Sequence, residues 1–342
     1  MVGYVSLGLS VLGFTYWTLH RLAKRPPRAK LLSRGQKLSV DVPDEISVVC
    51  YNVLADNLVT GNEHAYLYGN PVYMSWEYRW CMLQEEFASF GSDIICLQEV
   101  EKERWPEFVF VMRGLGYSGI MQSPKKTHMT ISTAIFYKSS RFKAVWEEHR
   151  SRALGVGLNY TDSNGQNQVL YVVNWHLEGD PRKANDRISQ MNSILQRMAA
   201  KQGKTAENCD VVIAGDFNAT RWNAPWQFLF RGRLEGGYTE AYLPHIPVTS
   251  KTVAHPYALQ DVYMAGRWIP EFTTRAPRRR SEVDFIWCSR HFKVEALMRP
   301  ANSRQIGLID RTLLPNKEFP SDHLPLGVVL SKRESTETCE PG

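Results

Sequence analysis

The sequence predicts an α/β layered fold, and two observations carry that prediction. From Ile46 onward short apolar runs alternate with amphipathic helical stretches, and 43% of the 342 residues are hydrophobic, ample for a packed core. Ile46 to Tyr51, Asp93 to Leu97, Thr133 to Tyr137, Val169 to Trp175, Asp210 to Ala214, Val283 to Cys288 and Leu324 to Leu330 read as buried strands. Strands covered on both faces are apolar almost without interruption, which is what these runs show. Two helices follow from periodicity: Trp76, Trp80, Leu83, Phe87 and Phe90 recur at three- and four-residue spacings, as do Ile188, Met191, Ile194, Leu195 and Met198. Both stripes are core-facing. No internal repeat is present.

The formal charge of +6 is unevenly placed. Residues 1 to 40 hold seven of the 41 basic residues and none of the 35 acids, so the rest carries 34 bases against 35 acids. A near-neutral domain excludes a long phosphate-tracking footprint, and any phosphate must be held locally. Val2 to Leu19 is an uncharged run of 18 residues followed by Arg21, Lys24, Arg25 and Arg28. Its length and flanking charge lead us to expect a transmembrane anchor over residues 1–20 and a basic linker over 21–42. One folded domain would then span 43–332, with a frayed tail over 333–342. The positive-inside rule would place that domain in the cytosol, on the endoplasmic reticulum or mitochondrial outer membrane; a mitochondrial import segment is the alternative. Six cysteines without CxxC pairing fit a reducing compartment.

Polar residues stand just beyond the ends of the apolar runs, where an α/β sheet presents its ligand-binding edge. Asn52 follows Val48 to Tyr51, Glu99 follows Ile94 to Gln98, and His176 follows Val172 to Trp175. Asp216 and Asn218 follow Val211 to Gly215, Asp284 sits between Val283 and Phe285, and Asp322 and His323 precede Leu324. Any one of these could be a helix cap or a packed histidine. Six such placements in one chain point to a site.

In order, these residues resemble the motif set of the endonuclease/exonuclease/phosphatase superfamily, over about Ile46 to Leu330. Cys50 to Ala55, Leu97 to Val100, Ala134 to Lys138, Gln305 to Gly307 and Pro320 to Leu324 resemble its deadenylase, nocturnin and Angel branch in particular. Gly215-Asp216-Phe217-Asn218 and Ser321-Asp322-His323 are the more specific signals. The resemblance implies a DNase I-like fold, a four-layer sandwich of two mixed β-sheets flanked by helices. It also implies a Mg²⁺-dependent phosphodiesterase, with Mn²⁺ able to replace Mg²⁺.

Cleaving a phosphodiester needs a cation on phosphate oxygens, an activated water, and donors aimed at the developing charge. Glu99 is the first choice of Mg²⁺ ligand, because hard cations take carboxylate oxygens; Asn52 would complete or orient that shell, and Asp322 would be a second metal contact or the cap of its turn. By resemblance, Asp216 aligns or deprotonates the attacking water and Asn218 donates to the scissile phosphate. His176 and His323 would bond its non-bridging oxygens, with Asp284 fixing the His323 tautomer.

Trp175 stands where the family usually has threonine, Phe285 where tyrosine is usual, and Ser132-Thr133 where Gly-Cys is common. The segment Tyr117 to Ile131 is short for the branch. Lys125, Lys126, Arg182, Lys183 and Arg187 read as phosphate contacts or solvated charge. Arg278, Arg279 and Arg280, beside a site strand, favour a nucleotide or polyphosphate neighbour. Pro181 matches a proline that packs on adenine in deadenylases of similar sequence. The expected substrate is therefore an RNA 3′ end, cleaved by a 3′-exoribonuclease. A nucleotide phosphatase acting on an NADP(H)-like substrate, a membrane-lipid phosphodiesterase and an inactive tethered binding protein are the alternatives.

Overall fold

The computed structural model describes residues 29–40, 42–61, 66–123 and 130–333. Two mixed sheets pack face to face. The first has seven strands: β1 (Lys30–Ser33), β2 (Glu45–Asn52), β3 (Ile94–Glu101), β4 (Tyr117–Met121), β5 (Ile131–Lys138) and, from the C-terminal end, two more defined below. The second has six and includes β6 (Lys143–Arg150), β7 (Ala153–Thr161), β8 (Asn167–His176), β9 (Asp210–Asp216) and β10 (Leu259–Asp261). A hairpin of β11 (Thr274–Ala276) and β12 (Arg279–Ser281) leads into β13 (Asp284–Ser289), which joins the second sheet; β14 (Phe292–Arg299) and β15 (Leu326–Lys332) complete the first. The orders are β1-β14-β15-β2-β3-β5-β4 and β10-β13-β9-β8-β7-β6.

Alternation along each strand builds the layers. Ile46, Val48 and Cys50 of β2 face Val172, Val212 and Ile286 of the second sheet in the central core. The intervening Val49 and Tyr51 turn outward onto Leu83 and Phe87 of α1 (Trp76–Phe90) and Phe108 of α2 (Trp105–Gly114). On the other side Val173, Trp175, Val211 and Ile213 meet Ile188, Met191 and Leu195 of α3 (Ala184–Gln202) and Trp226 of α4 (Ala224–Arg231). The result is helix, sheet, sheet, helix: the expected four layers, each sheet buried on both faces. Helix α1 starts where the Ser75 hydroxyl accepts the Tyr78 N–H, and it stops at Gly91, whose φ of 59° suits glycine.

The N-terminal reading changes. Residues 30–33, expected as linker, pair in parallel with β14, and Leu38 is buried with its N–H on Phe90 O at 2.8 Å. Arg34, counted there as a linker base, lies 4.0 Å over the Phe319 ring and pairs with Glu86. A basic composition concealed a strand only four residues long. The anchor, residues 1–20, lies outside the described residues, as do much of the expected linker and nearly all of the tail. Among the described residues no helix is long and apolar enough to cross a membrane. The described cysteines Cys50, Cys81, Cys96, Cys209 and Cys288 are free thiols.

Candidate active site

The strand ends that carry the predicted residues converge. In the second sheet the register places Asp284 of β13 opposite Asp216 of β9, and Asp216 opposite His176 of β8, so three of them form one row. The first sheet brings Asn52 and Glu99 over that row. Where β3 meets β5, residues 98 and 99 face a single residue, and Glu99 takes a left-handed φ of 62°. A bulge of this kind re-aims a side chain, and here it turns the carboxylate into the site. Asn218 also has a positive φ, 47°, and its N–H bonds Asp216 Oδ1 at 2.8 Å. Only glycine fits at 215: φ is 151°, and a Cβ there would lie 2.1 Å from Trp175 O.

The contacts assign roles. Asn52 Nδ2 donates to Glu99 Oε1 at 2.9 Å and to Asp216 Oδ2 at 3.2 Å, while Asn52 Oδ1 accepts Leu54 N–H at 3.1 Å. That backbone donor fixes which way the amide points. Asn52 therefore orients Glu99, and one lone pair of its oxygen is taken by the Leu54 N–H. Asp216 Oδ2 also lies 3.7 Å from His176 Nε2 and 3.8 Å from His323 Nε2. His323 Nδ1–H donates to Asp284 Oδ2 at 2.8 Å, the tautomer-fixing contact expected. Burial opposes charge on His323, but Asp284, Asp216 and Asp322 outweigh it and lift its pKa to about 10. His323 is thus an imidazolium at neutral pH. Burial likewise opposes the Asp216 carboxylate, yet His323, His176 and Arg279 hold its pKa below the ordinary value.

Ser321 Oγ donates to Asn52 O at 2.6 Å and ties the Asp322 turn to β2. Asp322 Oδ2 accepts Tyr66 OH at 3.3 Å, whereas Asp322 Oδ1 is buried without a partner. Burial raises the Asp322 pKa, and the nearby Glu99 charge adds to this. Two buried carboxylates that sense each other's charge, one with an orphaned oxygen, form a donor set that a hard divalent cation would complete. Asp216, Asp284 and His323 also bring ligand atoms within 4.8 Å of one another. That trio is paired through the Asp284–His323 bond, and Asp284 Oδ1 is likewise buried without a partner.

A cavity of about 530 Å³ adjoins the row, lined by Pro181, Asn218, Tyr242, Arg278 and Arg279 among others. The three arginines separate across the β11–β12 hairpin. Arg279 Nη2 reaches Asn218 Oδ1 at 3.4 Å, whereas Arg280 turns away to Glu271 at 2.7 Å and covers the Phe272 ring. Arg280 is thus removed from the substrate contacts expected of it, because successive residues of a strand face opposite sides. Arg187 is not a phosphate contact either. It is fully buried and donates to the carbonyls of Glu178, Asp180 and Pro181, and so shapes the loop that carries Pro181. Arg182 pairs with Asp180 at 2.9 Å on the surface.

Sequence reasoning missed the support beneath the site. Gln98 Nε2 donates to Asn174 Oδ1 at 2.7 Å, and Asn174 Nδ2 to Leu97 O and Ala134 O, a buried polar bridge between the sheets. An asparagine amid Val172, Val173 and Trp175 was its signal. Trp175, the departure from threonine, packs edge-on to Phe217, which packs on Phe285, both at 5.0 Å. Trp175, Phe217 and Phe285 form one edge-to-face cluster adjoining in sequence His176, Asn218 and Asp284.

Fold and site together define a phosphoric-ester hydrolase. The chain belongs to the Endonuclease/Exonuclease/phosphatase family, whose model matches residues 70–323. It is 27% identical over 347 residues to the CCR4-Not complex 3'-5'-exoribonuclease subunit Ccr4 of Debaryomyces hansenii, a match covering 88% of this chain and 41% of that protein. With Protein angel homolog 2 of Danio rerio it shares 25% identity over 209 residues, 56% of this chain and 36% of that one. The chain thus spans about two fifths of the length of these curated relatives. Among solved structures, ANGEL2, described as a 2',3'-cyclic phosphatase, superposes with a TM-score of 0.72 at 23% identity, over 85% of this chain and 96% of that one. The likeness shows the DNase I-like fold. The membrane location expected from Val2 to Leu19, and the membrane as a partner, are withdrawn: among the described residues no helix is long and apolar enough to cross a membrane, and the similarity is to a subunit of the CCR4-Not complex.

Proposed function

We propose that the protein is a Mg²⁺-dependent 3′-exoribonuclease of deadenylase type. The observation that carries this reading is the 530 Å³ cavity adjoining the row through Asn218, with Pro181 as an apolar lining residue and Asn218 and Arg279 as polar ones. It has the size and the mixed apolar and polar lining of a site for one nucleoside, with room for its phosphate at the catalytic row. The match to an exoribonuclease subunit supports the same class.

Asp216 is ionised and oriented by Asn52 and the Asn218 N–H, so it can take a proton from the attacking water. His323, protonated, and His176 present Nε2 to the charge that builds on the phosphate, and the Asn218 amide adds a donor. Asp284 holds the imidazolium in place. Glu99 and Asp322 would hold the Mg²⁺ ion, which supplies Lewis-acid stabilisation of phosphate oxygens when bound.

With few local bases, affinity must come from stacking and hydrogen bonds to the terminal base. RNA ending in adenosine is expected to show a kcat/KM about tenfold above RNA ending in cytidine. Competition supplies the test. Inhibition by NADPH at micromolar concentration, with oligoadenylate left uncleaved, would replace the exonuclease by a nucleotide phosphatase.

A further inference from the structure

The catalytic edge runs further than the residues assigned to it. Asp284, Asp216 and His176 stand in one row across β13, β9 and β8. The row continues into the β6–β7 turn: Trp175 pairs with Ala153, and His176 N–H donates to Arg152 O at 3.0 Å. Arg152 is therefore the next member after His176. With neighbouring strands about 4.8 Å apart, its backbone lies two strands, about 10 Å, from that of Asp216.

At this end of the row a second cavity opens, of about 280 Å³, and His176 is part of its wall. Gln122, Ser132, Thr133 and Arg152 give it polar lining, and Leu58 and Ile131 an apolar side. It shares no lining residue with the cavity of Pro181 and Arg279. The two meet the catalytic machinery at different members, Asn218 in one and His176 in the other. Gln122 is fixed in place: buried, it accepts Thr133 N–H at 3.2 Å and donates to Arg150 O. Arg152 is the only Lys or Arg among the described lining residues. Among the described residues its side chain is held by one contact, Glu178 at 3.3 Å, and a third of it (33%) is exposed. Most of the guanidinium's five donors are free for a ligand, and their fork suits a phosphate.

We propose that Arg152 and this cavity form a subsite for the phosphate of the nucleotide next to the scissile bond, on the side away from the nucleoside seated against Pro181. The substrate is then a polynucleotide, gripped on both sides of the cleaved phosphodiester. The proposal rests on the exonuclease reading given above.

Two substrates separate its parts. Diadenosine 3′,5′-monophosphate has the scissile phosphate and no other, whereas a five-nucleotide oligoadenylate also offers neighbouring phosphates. Arg152→Ala is expected to raise KM for the pentanucleotide about tenfold more than for the dinucleotide, the scale of a lost charge-assisted hydrogen bond. It should also lower the salt slope of pentanucleotide binding, read by fluorescence anisotropy in chelator, by about 0.7. Should alanine unfold the protein, Arg152→Gln keeps a polar head on the stem and reads the same KM difference. Equal effects on both substrates, or none on either, overturn the subsite while the exonuclease reading stands. A wild-type protein that cleaves neither substrate overturns that reading and the subsite with it.

Discussion

Asp216→Asn is expected to lower kcat about 10³-fold, with KM little changed and the fold retained. Losing a positioned general base typically costs between about 10² and 10⁴-fold, and 10³ corresponds to about 4 kcal/mol of transition-state stabilisation. An amide of the same shape still accepts the Asn218 N–H through its oxygen. Its nitrogen then faces Asn52 Nδ2, 3.2 Å from the present Asp216 Oδ2, where it meets a donor and can accept no proton. Steady-state kinetics and thermal melts of the same preparations decide the matter. A variant that unfolds, or that keeps more than a tenth of wild-type kcat, would show Asp216 to be a packing residue.

Glu99→Gln is expected to raise the half-saturating Mg²⁺ concentration about 10²-fold or more. The cation loses a formal charge, and the remaining side-chain oxygen must choose between Asn52 Nδ2 at 2.9 Å and Ala55 N–H at 3.0 Å. Titration calorimetry of Mg²⁺ into the protein, beside activity curves, separates ion binding from chemistry. Activity should return in part at high Mg²⁺. A binding isotherm identical to that of wild type would remove Glu99 from the metal site.

Much of the site was legible in the sequence because it obeys a rule about strands. Asn52, Glu99, His176 and Asp216 stand where an apolar run ends, and such runs end at the sheet edge where ligands sit. The layers were legible for the same reason, since β2, β3, β8 and β9 are largely buried on both faces and leave nearly continuous apolar runs. Strand β6 is an exposed, charged edge strand, Lys143 to Arg150 with Glu147 and Glu148, and carries no such run. Missing it hid Arg152 in the turn that follows.

Arginines were the hardest to read. Arg279 and Arg280 differ only by one step along a hairpin, and that step alone sends one into the site and the other to Glu271. Arg187 lay on the polar side of a helical stripe, yet it is buried, because carbonyls of the preceding loop and the Tyr242 hydroxyl accept from its two Nη groups. Charge type signals where a residue can be useful; the pairing partners that decide its role are set by tertiary contacts. The orientation of Asn52 belongs here too, since only the Leu54 N–H shows which end of the amide meets Glu99.

In the proposed reaction one row of side chains, with a nucleoside cavity beside it, hydrolyses phosphodiesters from an RNA 3′ end. The most direct measurement is a time course on a 5′-labelled oligoadenylate with Mg²⁺, resolved to single nucleotides, with released products identified by mass. The expected result is a ladder shortening one nucleotide at a time from the 3′ end, with release of 5′-AMP and arrest on addition of chelator. Internal cuts, release of inorganic phosphate alone, or an unchanged ladder in chelator would contradict it.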